Sequence, residues 1–168
     1  VTQTLLTRQV DVTVIDSNVE RIRSAAKFGF KIYYGDGTRL EVLRAAGGGK
    51  ARVICVCVDD RAAALKIAEI VKAEMPSARL YVRAYDRVHA ISLMDMEVDF
   101  QMRETFESAL AFGQATLEAV GVTYDEAVAV TDDVRRRDSQ RLEAQRRDGL
   151  LARPDLVIRQ GGVTVPTV

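Results

Sequence analysis

Acidic and hydroxyl side chains come directly after three hydrophobic, β-branched segments of the sequence. Asp16 and Ser17 follow VDVTVI, Asp36 and Thr38 lie in the GDGT turn after KIYY, and Asp59 follows VICVCV. If these segments are parallel strands, their carboxyl ends lie at one edge of a sheet, where open α/β sheets bind ligands. An acid after the second strand of a dinucleotide-binding sheet accepts hydrogen bonds from ribose hydroxyls, and the following turn lies beside the adenine. These five residues are therefore candidate cofactor-binding residues.

The same positions also have ordinary structural explanations. Asp16 could cap the helix that begins near Ser17, and Asp36 with Thr38 could form a turn followed by an N-cap. A cap and a ligand contact can coexist at Asp36 and Thr38. Asp60, one residue beyond Asp59, is better explained as an N-cap than as a ligand-binding residue.

Strand-like and helical segments alternate through the first 100 residues. Strands are predicted at 10–16, 31–36, 51–60 and 79–86, with an edge strand at 97–100, and helices at 17–28, 38–46, 61–74 and 87–94. Strands alternating with helices at this spacing run parallel and are joined by right-handed crossovers. We predict an α/β fold, a Rossmann-like doubly wound parallel sheet, with a nucleotide-binding domain over residues 1–101.

The glycine-rich loop G-x-G-x-x-G, whose backbone amides hold a pyrophosphate in such folds, does not occur in the sequence. VTQTLLTRQ is predicted to be the end of the first helix, so the first strand and its loop would precede Val1. That strand lies between the second and the fourth in the usual order 3-2-1-4-5-6. We expect the sequence to be a fragment or to be numbered from an internal residue. A substitute strand from residues 156–162 or from another molecule is the alternative.

The pattern changes to long helices after residue 100. Residues 102–122 are predicted to be a dimerisation helix that packs on the sheet or on its own copy, because its apolar and small residues form one wide stripe. The stripe comprises Phe106, Ala109, Leu110, Phe112, Gly113, Thr116, Leu117 and Val120. Residues 123–168 are predicted to be a charged helical extension with weak ion pairs, ending in a hairpin fragment or a flexible tail.

Composition and charge exclude several functional classes. The 168 residues include 24 Lys and Arg and 24 Asp and Glu, so no basic surplus favours nucleic-acid binding. The absence of a long apolar run and of a secretory leader favours a cytosolic location. Cys55 and Cys57 are expected to be core thiols rather than metal ligands. The single histidine, His89, is predicted to be structural, so no catalytic residues and no metal site are expected.

Four segments together resemble the cytoplasmic nucleotide-binding domain of Kef-type potassium efflux antiporters. This domain belongs to the regulators of potassium conductance (RCK domains), also called TrkA-N domains. The segments are VTVIDSNVERIRSAAKFGFKIYYGDGTRLEVLRAAG, ARVICVCVDD, VRAYDRVHAISL and RETFESALAFGQATLEAVG. The resemblance covers roughly residues 1–125 and is most specific in FGFKIYYGDGTR and RETFESAL.

The resemblance implies a regulatory domain on the inner face of the membrane that gates potassium/proton exchange. It implies NAD(H) or AMP as a non-catalytic ligand, a homodimer formed through residues 103–121, and a transmembrane antiporter portion in the same polypeptide. An ancillary flavoprotein is a further candidate partner. Asp16 matches the family's ribose-binding acid, and Asp36 with Thr38 matches its adenine-side turn.

The RETFE element supplies the candidate effector and dimer-interface residues, which are Arg103, Glu104, Phe106, Glu107 and Leu110. In glutathione-gated members this arginine contacts glutathione, and a guanidinium suits such carboxylates. A surface charge or an intersubunit ion pair is the alternative for Arg103. Two positions depart from the gated members: Asp138 stands where they have asparagine, and Thr4 where they have arginine. An acid at this position would repel a glutathione carboxylate. Whether glutathione regulates the domain therefore stays open.

Two other functions remain alternatives to a regulatory domain. The fold alone would also suit an NAD-dependent oxidoreductase, although such an enzyme needs a general acid or base beside the nicotinamide. The other alternative is a dimerisation scaffold that has lost its ligand. A sequence without the glycine-rich loop would be consistent with such a scaffold.

Overall fold

The computed structural model describes residues 1–27 and 31–157. The helices are α1 (Thr2–Leu6), α2 (Val19–Ala26), α3 (Leu40–Ala45), α4 (Arg61–Glu74), α5 (Arg87–Asp95), α6 (Phe106–Ala119) and α7 (Tyr124–Asp148). The strands are β1 (Thr13–Asp16), β2 (Lys31–Tyr34), β3 (Val53–Val56), β4 (Arg79–Ala84) and β5 (Phe100–Arg103). Residues 28–30, which include the last residue of the predicted helix 17–28, and residues 158–168 of the predicted tail lie outside the described residues.

All neighbouring strands in the described ranges run parallel, which confirms the predicted α/β fold. β1 pairs with β2 in one sheet, and β3, β4 and β5 pair in that order in a second sheet. The break between the two sheets falls between β1 and β3, where the order 3-2-1-4-5-6 has its first strand. The proposed substitute strand at 156–162 falls mostly outside the described residues.

The core lies between α4 and the three-stranded sheet. The residues of α4 at helical spacing that the sequence predicts to face inward, Ala64, Ile67, Ala68 and Val71, are all buried. They pack with alternate residues of β4, including Leu80 and Val82, as the period of two along a strand requires.

The prediction for β5 and the helix after it is wrong by about three residues. The strand covers Phe100–Arg103 instead of 97–100, and α6 begins only at Phe106. Glu97 has a φ of 54° in the turn after α5, so no strand starts there. The Asp99 carboxylate then accepts the Leu80 N–H at 2.7 Å and starts the pairing with β4. Arg103 therefore ends a strand rather than beginning the helix.

The prediction that Cys55 and Cys57 are core thiols is also wrong, because both are exposed. Val53 of the same strand is 44% exposed, although Val56 is buried. The reason is that β3 is an edge strand within the described ranges, hydrogen-bonded only to β4. A continuous apolar run indicates a strand covered on both faces, and the described residues cover only part of this one.

The charged segment after residue 123 is a single helix that packs against both α5 and α6. A capping box between Thr123 and Glu126 begins it. Ion pairs such as Arg135–Asp132 at 2.5 Å follow the predicted pattern. Ala127 and Leu142 are nevertheless buried, so α7 is not solvated on every side. No described helix combines the length and apolarity needed to cross a bilayer.

Candidate functional site

Asp16 ends β1 and organises the loop that follows it. Its carboxylate accepts the Asn18 N–H at 2.7 Å, and the Asn18 side chain in turn accepts the N–H groups of Glu20 and Arg21. Asn18, rather than Asp16 or Ser17, is therefore the N-cap of α2. Asp16 is half-buried and Ser17 is exposed. Asp16 therefore does not cap α2. It forms a turn in which the Asn18 N–H donates to one oxygen of its carboxylate.

Asp36 forms a second turn of the same kind after β2. Its carboxylate accepts the Thr38 backbone N–H at 2.9 Å and the Thr38 hydroxyl at 2.8 Å. These two hydrogen bonds lower the pKa of the Asp36 carboxyl below its ordinary value, so the side chain is anionic at neutral pH. Asp36 is exposed. The predicted turn is confirmed, but the N-cap of α3 is Arg39 instead of Thr38.

Gly35 brings the two turns together. Its N–H donates to the Asp16 carbonyl at 3.0 Å, which extends the pairing of β1 and β2 by one residue. A Cβ at Gly35 would lie 2.6 Å from Cγ1 of Val42, so the glycine also permits α3 to pack closely. Asp16 and Asp36 therefore flank one edge of the sheet, as the sequence predicts.

Acidic side chains also cap the helices that follow β3 and β4. Asp60 accepts the Ala63 N–H at 2.6 Å, which confirms its predicted role as an N-cap. Asp86 accepts the His89 N–H at 2.9 Å at the start of α5. The carboxyl edge of both sheets is thus lined by short turns that side-chain oxygens hold in place.

Asp59 lies at the same edge, and its partner is a residue that the sequence analysis missed. Arg83 of β4 donates to Asp59 at 2.5 Å, to the Cys57 carbonyl at 2.7 Å and to Glu104 at 3.1 Å. A second guanidinium, that of Arg21 on α2, lies 3.9 Å from Asp59. An arginine inside the apolar strand RLYVRA was the available signal for Arg83, since a charge within a strand needs a partner.

Arg103 lies in a different region, at the junction of α5, β5 and α7. Asp138 of α7 receives hydrogen bonds from both Arg103 and Arg87. All three side chains are largely buried: Arg103 is 14% exposed, Arg87 is 23% exposed and Asp138 is 13% exposed. Burial lowers the pKa of Arg103, while the Asp138 charge opposes that change. Arg103 is therefore held in an ion pair within the chain, and it is not the surface charge of the alternative interpretation.

The other candidate effector residues are likewise paired or buried within the chain. The guanidinium of Arg103 lies 4.0 Å from the centre of the Phe106 ring. Glu107 forms an ion pair with Arg135 at 3.0 Å, and Leu110 is 8% exposed. Phe112 of α6 and Val120, the residue directly after α6, stay exposed at 77% and 74%.

His89 is 3% exposed, and its environment fits the predicted structural role. Its Nδ1 accepts the Tyr85 N–H at 3.1 Å. Burial lowers its pKa, an effect that the neighbouring Asp86 partly offsets. Within residues 1–27 and 31–157, no group of three or more His, Cys, Asp or Glu side chains is arranged to hold a metal ion.

Comparison with known proteins identifies the family. The model of the TrkA-N domain matches residues 1–103. A glutathione-regulated potassium-efflux system protein of Haemophilus influenzae is 46% identical over 145 residues, which are 86% of this chain and 24% of that protein. The efflux protein KefC of Salmonella arizonae is 39% identical over 139 residues, 83% of this chain and 22% of that protein. The chain thus spans about a quarter of the length of these relatives.

A solved structure extends the similarity beyond residue 103. The Kef C-terminal domain of Shewanella denitrificans, in an AMP-bound form, has a TM-score of 0.80 and 27% identity. The match covers 86% of this chain and 89% of that domain. The NAD-bound GsuK channel, at 19% identity and a TM-score of 0.59, shares the fold over 66% of this chain and 20% of the channel. The chain therefore belongs to the TrkA-N domain family and is a Kef-type regulatory domain.

Proposed function

We propose that this chain senses an adenine nucleotide, NADH or AMP, and thereby gates a potassium/proton antiporter. The nucleotide binds at the carboxyl edge of the sheets, beside Asp16, Ser17, Asp36, Thr38 and Asp59. It is a regulatory ligand and undergoes no reaction, so the chain is not an enzyme. A ligand shifts an equilibrium only through its different affinities for two arrangements. The nucleotide therefore acts by favouring one arrangement of the domain.

The paired turns at Asp16 and Asp36 carry this proposal. Each turn occupies one carboxylate oxygen with its own backbone and holds the side chain at the edge of the β1–β2 sheet. The second oxygen of Asp16 is free for a ribose hydroxyl, and hydrogen bonds to charged groups are worth about 1.5–3 kcal/mol. The AMP-bound state of a Kef domain with the same fold supports a nucleotide as the ligand.

The wider assembly is part of the same proposal. Since the Kef relatives are about four times longer than this chain, a transmembrane antiporter portion of the same polypeptide is the expected gate. The domain then lies at the cytoplasmic face of the inner membrane. The proposed homodimer contact lies around the exposed side chains of Phe112 on α6 and of Val120 just after it. An ancillary flavoprotein remains a candidate partner, and nucleic acid is not one.

Glutathione is the less favoured effector. The guanidinium that the family resemblance assigns to glutathione, Arg103, is already bound by the chain's own Asp138. Glutathione would have to displace that buried carboxylate and the Arg87 contact with it. We therefore propose nucleotide as the principal ligand and expect weak or no glutathione binding.

Titration calorimetry tests the proposal. NADH, NAD, AMP and ATP are added to this chain, to a version extended upstream through the glycine loop, and to Asp16→Ala in both backgrounds. Asp11→Ala is the matched control, because Asp11 is an exposed carboxylate ahead of β1. We expect NADH or AMP to bind the extended version and Asp16→Ala to weaken that binding at least tenfold, with Asp11→Ala unchanged.

Three other results would favour the alternatives. The absence of binding to the extended version would favour a ligand-free dimerisation scaffold. Binding that is indifferent to Asp16→Ala would place the nucleotide elsewhere. Turnover of NADH with an added carbonyl substrate would favour an NAD-dependent oxidoreductase.

A further inference from the structure

Arg83 links the two candidate sites. On one side its guanidinium binds Asp59, a candidate nucleotide residue, and the Cys57 carbonyl in the same loop. On the other side it binds Glu104, a candidate effector residue two positions before α6. One side chain on β4 thus spans the carboxyl ends of β3 and β5.

Backbone pairing fixes where each partner lies. Arg83 is opposite Met102 in the β4–β5 register, and the Glu104 N–H donates to the Ala84 carbonyl at 2.9 Å. Glu104 is therefore held in the sheet by its backbone, while α6 begins just beyond it. Only Thr105 separates Glu104 from Phe106, the first residue of α6.

The exposures of the three side chains show which contact a ligand can alter. Asp59 is 67% exposed, whereas Arg83 and Glu104 are 30% and 37% exposed. A ligand hydroxyl can therefore reach the Asp59 carboxylate without any rearrangement of the surrounding strands and loops. Since both carboxylates share one guanidinium, a ligand that draws Asp59 away leaves Arg83 more strongly bound to Glu104.

We propose that Arg83 is the positioning residue that couples nucleotide binding at Asp59 to the start of α6 through Glu104. This inference rests on the nucleotide-binding function proposed above. Coupling between two sites is reciprocal, so fixing α6 must also change nucleotide affinity. A purely structural arginine would stabilise the fold without transmitting a ligand's effect.

Amide hydrogen exchange with and without AMP tests the coupling on the intact natural protein. In the wild type, saturating AMP is expected to slow exchange severalfold in the peptide covering residues 104–112. Arg83→Gln should abolish that AMP-dependent change while AMP still binds within tenfold of its wild-type affinity. Arg79→Gln, on the same strand at its opposite end, is the matched control and should keep the full change.

Two further variants keep the test informative if Arg83→Gln folds poorly. Glu104→Gln removes the carboxylate charge that pairs with Arg83. It should reduce the AMP-dependent change in exchange without lowering AMP affinity more than threefold. Arg83→Lys should restore part of the effect, because an ammonium is a single point charge without the bidentate fork of a guanidinium.

The possible outcomes distinguish failure of the coupling role from failure of nucleotide binding. If wild-type protein binds AMP but residues 104–112 do not respond, or if Arg83→Gln responds as the wild type does, the coupling role is overturned and nucleotide binding stands. If the wild type binds neither AMP nor NADH, both the proposed function and the coupling role are overturned.

Discussion

Two charged regions of this domain differ in how far their side chains are exposed to solvent. At the carboxyl edge, Asp36 and Asp59 are exposed anions, held by short turns and by Arg83. At the junction of α5, β5 and α7, Asp138 is enclosed by two arginines and all three side chains are largely buried. The edge keeps negative charge where a ligand can reach it, whereas the junction neutralises its charge within the chain.

The two regions differ in what the loss of a contact would cost. An exposed carboxylate in a preformed turn can exchange water for a ligand at little cost. A buried ion pair instead becomes costly as soon as one partner is lost, because the remaining charge stays desolvated. We interpret the edge as the ligand-binding region and the junction as the attachment of α7 to the rest of the domain.

The largest effect is expected for Asp138→Ala. This variant leaves Arg87 and Arg103 without their shared counter-ion, and we expect the free energy of unfolding to fall by about 3 kcal/mol. Asp133→Ala is the control, since Asp133 also contacts two arginines of α7, but in partly exposed i,i+3 and i,i+4 pairs whose loss should cost much less. Urea unfolding measures both variants. Equal losses would contradict the distinction between the two kinds of pair.

A smaller loss is expected for Asn18→Ala at the carboxyl edge. The variant removes the side-chain cap that accepts the Glu20 and Arg21 N–H groups, which costs about 1 kcal/mol. Ser17→Ala, one residue earlier, should stay within about 0.5 kcal/mol of the wild type. The same denaturant curves test this pair, and a larger loss at Ser17 would show that the cap has been misassigned.

The buried His89 makes the stability of the domain depend on pH. Burial lowers the pKa of His89 in the folded state, so the unfolded chain binds its proton more readily. Stability is therefore complete above about pH 6.5 and falls as the pH drops below that value. Unfolding curves between pH 7.5 and 5.5 should show this fall in the wild type. His89→Asn, which removes the only histidine, should show no such fall in that window.

The smallest effect on stability is expected for Phe112→Asp. Because the Phe112 side chain is 77% exposed, the free energy of unfolding of the monomer should change by less than about 0.5 kcal/mol. If α6 forms the dimer, self-association should nevertheless be lost, because a charge would enter an apolar contact. Sedimentation velocity distinguishes the two states. An unchanged dimer would exclude this face, and Gln114→Glu on the same helix serves as the control.

Much of the fold could be predicted from local patterns. α4 has the predicted bounds and the predicted buried residues because its apolar spacing follows the helical period. The turn at Asp36 and the cap at Asp60 follow from the preference of aspartate for such positions. These features depend on residues that are close in sequence.

The remaining features depend on contacts that local patterns do not encode. Arg103 belongs to β5 because Asp99 binds a backbone group of β4, 19 residues away. Asp138 meets Arg103 across 35 residues and Arg87 across 51. Cys55 and Cys57 are exposed because exposure depends on which strand lies alongside β3, and the apolar run itself does not reveal that.

Amide chemical shifts recorded during separate AMP and glutathione titrations would show which of the two charged regions binds a ligand. On the chain extended upstream through the glycine loop, AMP should shift the amides around Asp16, Asp36 and Asp59 and leave those around Asp138 unchanged. Glutathione should shift neither group. Shifts that cluster at Arg87 and Asp138 with either ligand would contradict this assignment, because the junction would then be the ligand-binding region.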